Sequence, residues 1–201
     1  DFDWTRGRAF NDQQFARLAP LEREILLWLA SEREGIGIAE LQQNMVRPPP
    51  RRDLIEALRA LQRRSLLEKT DAGFTLQNVV LEYVTDQLVT QCSREIERGQ
   101  SELMHRHALL KAQAKQYVRQ SQARLILQPI ARRLLASLSQ ARLEQQLRAA
   151  LGSLRAEHPL APGYAAGNIL NLLLHLGASL RGANFSQLCV WQADLREASL
   201  P

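Results

Sequence analysis

The chain has 201 residues, 45% hydrophobic and 23% charged, a size and balance that suit one or two soluble domains with real cores. No run approaches the roughly eighteen apolar residues of a membrane span and no signal-peptide pattern opens the chain, so a cytoplasmic location is expected. The net charge of +5 sits on arginines interleaved with acids, which permits nucleic-acid contact without demanding it. The two cysteines, Cys92 and Cys189, lie far apart with no CxxC partner, which suits a reducing compartment.

In chain order, Phe2, Trp4 and Phe10 mark residues 1–19 as the tail of a preceding element. Pro20 opens a helix in which Leu21, Ile25, Trp28 and Leu29 follow the stripe of a buried face. Ile36-Gly37-Ile38 leads into a second helix over Ala39–Met45, and Pro48-Pro49-Pro50 breaks the chain. A third helix is predicted over Arg51–Arg64, with Leu54, Ala57, Leu58 and Leu61 inward. Two short strands follow, Leu66–Lys69 and Phe74–Gln77, joined by a turn at Thr70-Asp71-Ala72-Gly73. Helix, short strand, helix, helix, hairpin is the order of a winged helix.

Asn78 is placed as the N-cap of a long helix carrying Leu81, Val84, Leu88, Cys92 and Ile96 inward until Gly99. A helix over 102–120 should turn Leu103, Leu110, Ala114 and Tyr117 inward, and Pro129 should open another that ends near Gln140. Ala141–Ala156 forms a further helix, Pro159-Leu160-Ala161-Pro162-Gly163 a linker, and Tyr164–Leu176 a last apolar helix.

From Ala178 the sequence has a period of five. Ala178, Ala183, Leu188, Ala193 and Ala198 each stand two places before Leu180, Phe185, Val190, Leu195 and Leu200. Neither the 3.6-residue helix nor the two-residue strand has this period. The pattern resembles the pentapeptide-repeat family, which implies the first coil of a right-handed β-helix over 178–201. One coil stacks on nothing, and the chain starts at Asp1 without methionine, so a segment of a longer protein is expected. The fold class is thus mainly α, a winged helix (20–98) and a helical middle or bundle (99–177) leading into the repeat.

The third helix offers the clearest polar candidates. Arg52, Arg59 and Arg63 share its solvent face, where they could contact phosphates, guanine edges or a neighbouring domain. Glu56 lies among them, and nine Arg/Lys against eight Asp/Glu between Pro20 and Thr70 leave about +1. Nucleic acid is therefore not the expected partner.

The run PLEREILLWLASEREGIGIAEL, with RRDLIEALRALQRRSLLEKTDAGFTLQNVVLEYVTDQLV after it, resembles the winged-helix subdomain of signal-transducing NTPases of the STAND (NB-ARC) class. The likeness covers about residues 15–98 and is strongest to bacterial, especially cyanobacterial, members with repeat-built sensors, often WD repeats, at the carboxy end. It implies an upstream nucleotide-binding domain and a downstream repeat domain in cis, ATP or ADP in the parent protein, and an oligomer when active. In that class a Met-His-Asp-like motif ending the second wing strand approaches bound ADP. The matching positions are Leu76, Gln77 and Asn78, where Gln77 can donate an amide bond to phosphate but cannot carry charge.

No GxxxxGK[ST] loop occurs, so nucleotide chemistry is expected outside these residues and no cofactor within them. No serine elbow or metal cluster is found. His105 and His107 point about 200° apart on a helix and read as solvated, and Lys111, Lys115, Arg119 and Arg124 read as a solvated basic face. Trp191 is expected on the outside of a coil, covering the neighbouring helical region or a following domain. The resulting expectation is a non-catalytic relay in a STAND NTPase; the alternative is a winged-helix DNA-binding transcriptional regulator.

Overall fold

A computed structural model describes residues 12–196, which divide into two units at Gln87/Leu88. The tail residues Phe2, Trp4 and Phe10 and the last repeat positions, Ala198 and Leu200, lie outside the described residues. The chain is mainly helical, with a single two-stranded sheet among the described residues.

The first unit is built around α1 (Pro20–Glu32), α2 (Ile38–Asn44), α3 (Arg51–Arg63) and the hairpin β1 (Leu67–Thr70) with β2 (Gly73–Leu76). Helix α1 is buried at every position from Ile25 to Glu32, so it is the centre of the unit and not a surface helix with one wet face. Trp28, Leu41, Leu54, Leu58 and Leu61 complete this core. Each such side chain contributes about 2 kcal/mol through burial. The ends of α1 and α3 are tied by Glu22, which accepts the Ala19 N–H at 2.8 Å and pairs with Arg64 at 3.2 Å.

The hairpin pairs Leu67 with Leu76 and Thr70 with Gly73, one residue along from the predicted first strand. Ile36 bridges Phe74 through two backbone bonds of 3.0 and 2.9 Å, adding a third short lane beside β2. Gly73 makes that approach possible. Its φ is +129°, and a Cβ there would collide with the Ile36 carbonyl.

Helix α4 (Asn78–Glu97) begins in the first unit and ends in the second. The boundary at 98 read from sequence places all of it in the first. Its N-cap is Gln77, whose carbonyl accepts the Leu81 N–H at 2.8 Å; Asn78, placed there from sequence, is the first helical residue.

In the second unit, α5 (Glu102–Arg106) is only five residues long, and the helix predicted over 102–120 is interrupted from 107 to 115. Asn168 explains the break. Its amide accepts the Leu109 N–H at 2.8 Å and donates to the carbonyls of Met104 and His107 at 2.7 Å each, satisfying backbone groups that a helix would have used. The start of α5 is held by Glu95, whose carboxylate accepts the Leu103 N–H at 2.8 Å. Burial pushes the Glu95 carboxyl above the usual range, against the lowering effect of these bonds.

Helix α6 (Gln116–Gln122) then runs without a break through a wide π turn (Ala123–Leu127) into α7 (Gln128–Leu135). The helix predicted to open at Pro129 ends at Leu135 and not near Gln140, and Pro129 stands in its first turn. Its missing N–H and bulky ring fall just after the π turn, where the wider backbone accommodates them. Val118 is buried and Tyr117 is 57% exposed, so the inward face is one residue on from the prediction. Helix α8 (Gln140–Glu157) is capped by the Ser139 hydroxyl, and α9 (Ala165–His175) is buried over Ala165–Leu173. Leu143, Leu147, Leu151, Ile169 and Leu173 share this core.

Beyond α9 the backbone takes a left-handed conformation at Gly177, Gly182, Gln187 and Gln192, every fifth residue. The five-residue period of the sequence is therefore a five-residue period of turns. Ala178 and Leu180 are buried, while Phe185, Val190 and Ala193 are half-buried and Leu195 is exposed.

Candidate functional site

The arginines named from sequence lie on the outer face of α3. Arg52, Arg59 and Arg63 are all exposed, as are Arg51 and Arg64, while Leu54, Leu58 and Leu61 are buried on the opposite side. The 100° step of a helix places residues 52, 59 and 63 within about 40° of one another, with Glu56 about 20° beyond Arg63. Arg52 Nε bonds Glu56 at 2.9 Å, and this pairing raises the Arg52 pKa further. The face is thus a charged, wet surface in which one arginine is already partnered. Exposed pairs of this kind add little to stability. Such a face is available to an anionic or acidic neighbour.

Gln77 follows β2 and is half-buried, and Asn78 is exposed at the start of α4. Among the described residues no hydrogen bond or ion pair joins either to Arg52, Arg59 or Arg63. Gln77 holds the start of α4 through its carbonyl. The N–H groups of the first turn of α4 lie next to it, a weakly positive environment.

Several readings of polar residues are corrected. His107 is 2% exposed, not solvated, because the chain leaves the helix there and its carbonyl is taken by Asn168. Lys111 is buried as well, its N–H bonded to the Gln122 side chain at 2.9 Å. Arg119 forms a half-buried pair with Asp194 at 3.2 Å. Lys111 and Arg119 thus have structural roles and do not belong to a basic stripe. The Trp191 ring meets Tyr164 edge-on at 5.3 Å between centroids, on the helical side of the turns. Cys92 is fully buried, and its thiol is pushed far up by desolvation, the opposite of a reactive thiolate. Among the described residues no group of three His, Cys, Asp or Glu is placed to hold a metal, and no helix is long and apolar enough to cross a membrane.

Sequence reasoning overlooked Gly167, Asn168 and Asn171. Their signal was present: two asparagines and a glycine, poor helix formers, inside the otherwise apolar run Ala165–Leu174. Residues kept there against propensity are engaged through their polar groups or their small size.

The chain is similar to a WD repeat-containing protein of Nostoc sp., described as uncharacterized, at 43% identity over 223 aligned residues. The alignment takes in 94% of this chain but only 18% of the relative's length. No family model matches, and no solved structure matches.

Proposed function

We propose that these residues are a non-catalytic relay within a signalling NTPase of the STAND (NB-ARC) class, coupling a carboxy-terminal repeat sensor to an upstream nucleotide-binding module. The observation that carries the reading is the order of the first unit: a helix, a lane at Ile36, two helices and a hairpin, the order expected of a winged helix. The turns at every fifth residue beyond α9 support a repeat-built continuation of the pentapeptide type, the first coil of a right-handed β-helix. Similarity to a much longer WD repeat-containing cyanobacterial protein fits a sensor of that layout.

On this reading the winged helix docks against the nucleotide-bound module at rest and leaves it on activation. Gln77 and Asn78 face the nucleotide, and Arg52, Arg59 and Arg63 face the neighbouring domain. The energy of switching comes from the difference between docked and undocked contacts, since the segment carries no chemistry of its own. Any ATP or ADP belongs to the upstream module, and an active oligomer would form through the parent protein. Deleting residues 20–98 from that longer protein should lower the ADP that copurifies with it. Unchanged ADP content would remove the docking role.

The exposed arginine face also fits the alternative of a DNA-binding regulator. The Arg52–Glu56 pair and the near-neutral balance of the unit weigh against it.

A further inference from the structure

The five-residue turns meet the helices of the second unit along one edge, and that edge has a regular chemistry. Four of its carbonyls are claimed by donors from the helical side. Arg148 donates to the carbonyl of Ser179, and Arg155 to that of Asn184 at 3.0 Å. Leu160 N–H donates to Gln187 at 2.9 Å, and the Asn171 amide to Gln192 at 2.9 Å. Ser179 and Asn184 are five residues apart, as are Gln187 and Gln192. The helical side therefore meets equivalent positions of successive repeats, Ser179 and Asn184 with arginines and Gln187 and Gln192 with a backbone and a side-chain N–H.

The spacing of those donors is itself matched. Arg148 and Arg155 are seven residues apart on α8, two helical turns or about 10.5 Å along one face. That length brings one arginine to each successive five-residue turn. Asn171 goes further, because its side-chain amide also accepts the Asp194 N–H at 2.8 Å. One amide group thus bonds the carbonyl of residue 192 and the N–H of residue 194, as a neighbouring strand would. Gly167, one turn earlier on α9, lets the Trp191 carbonyl approach the helix backbone where any side chain would collide.

We propose that the helical part of the second unit is a preformed cap for a five-residue coil. It closes one backbone edge of the coil with side-chain and loop donors, Asn171 standing in for the strand that an ordinary coil neighbour would supply. The coil is ordered by the helices and not by itself, and this edge is closed to further backbone pairing. The inference does not depend on the signalling role.

Amide hydrogen exchange on the whole chain tests it. Asn171→Leu keeps the volume and removes both bonds, and Arg155→Met removes a donor from a half-buried position without touching the core. In each variant, exchange across residues 178–196 should rise about tenfold or more, with protection across residues 140–157 unchanged. An unchanged 178–196 region in both variants would overturn the proposal. So would equal loss of protection in both regions with Arg155→Met, since the contact would then support the bundle and not the coil.

Discussion

Alanine at position 73 should cost the first unit about 3 kcal/mol, the sum of an unfavourable backbone conformation and a forced separation of Ile36 from β2. Gly73 holds φ at +129°, which side-chain-bearing residues rarely adopt, and its missing Cβ leaves the space taken by the Ile36 carbonyl. Either β2 moves outward and breaks the Ile36–Phe74 pair of bonds, or the turn after Thr70 rearranges. In both cases the end of β2 shifts, and with it Gln77. Urea denaturation followed through the buried indole of Trp28 measures the loss. A midpoint equal to that of the unaltered chain would show that the bridge at Ile36 has no energetic weight.

Gly167→Ala should destabilise the second unit by about 2 kcal/mol or more, against the usual gain of alanine over glycine inside a helix. The added methyl would collide with the Trp191 carbonyl and lever the turns away from α9. Gly152 provides the internal control, because it lies within α8 with nothing near its absent Cβ. Gly152→Ala should raise the thermal midpoint slightly, whereas Gly167→Ala should lower it by several degrees, about 4 °C or more. Equal gains from both substitutions would mean that the turns do not rest on α9.

Much of the architecture was legible in the sequence because local signals and burial agreed. Pro20, Pro50 and the Leu54, Leu58, Leu61 spacing place the first helices within a residue or two of where they occur. The five-residue period was legible for the same reason, since small and large residues alternate where the turns require them. The interruption after Arg106 was not, because its cause is a long-range one: Asn168 lies about sixty residues away in sequence and satisfies the backbone that departs from the helix. The π turn before Pro129 was missed because proline signals an irregularity without saying how the preceding turn absorbs it.

The polar candidates divide the same way. Exposure of Arg52, Arg59 and Arg63 followed from helical periodicity, since their apolar counterparts had to face α1. The roles of Lys111, Arg119 and His107 could not be read from spacing, because each is set by a partner or a packing surface distant in the chain. Asn171 is the sharpest instance. It was overlooked on an otherwise apolar helix, and only the geometry shows one side chain serving two backbone groups.

The rate at which bound ADP leaves the longer protein tests the proposed docking of the first unit against a nucleotide-bound module. The triple substitution Arg52→Glu, Arg59→Glu, Arg63→Glu alters only exposed side chains, so the unit keeps its core. ADP release should be about tenfold faster in that variant, through loss of the docking surface. Release at the unaltered rate would contradict the docking, and a loss of salt-dependent duplex DNA binding in the same variant would turn the assignment toward a transcriptional regulator.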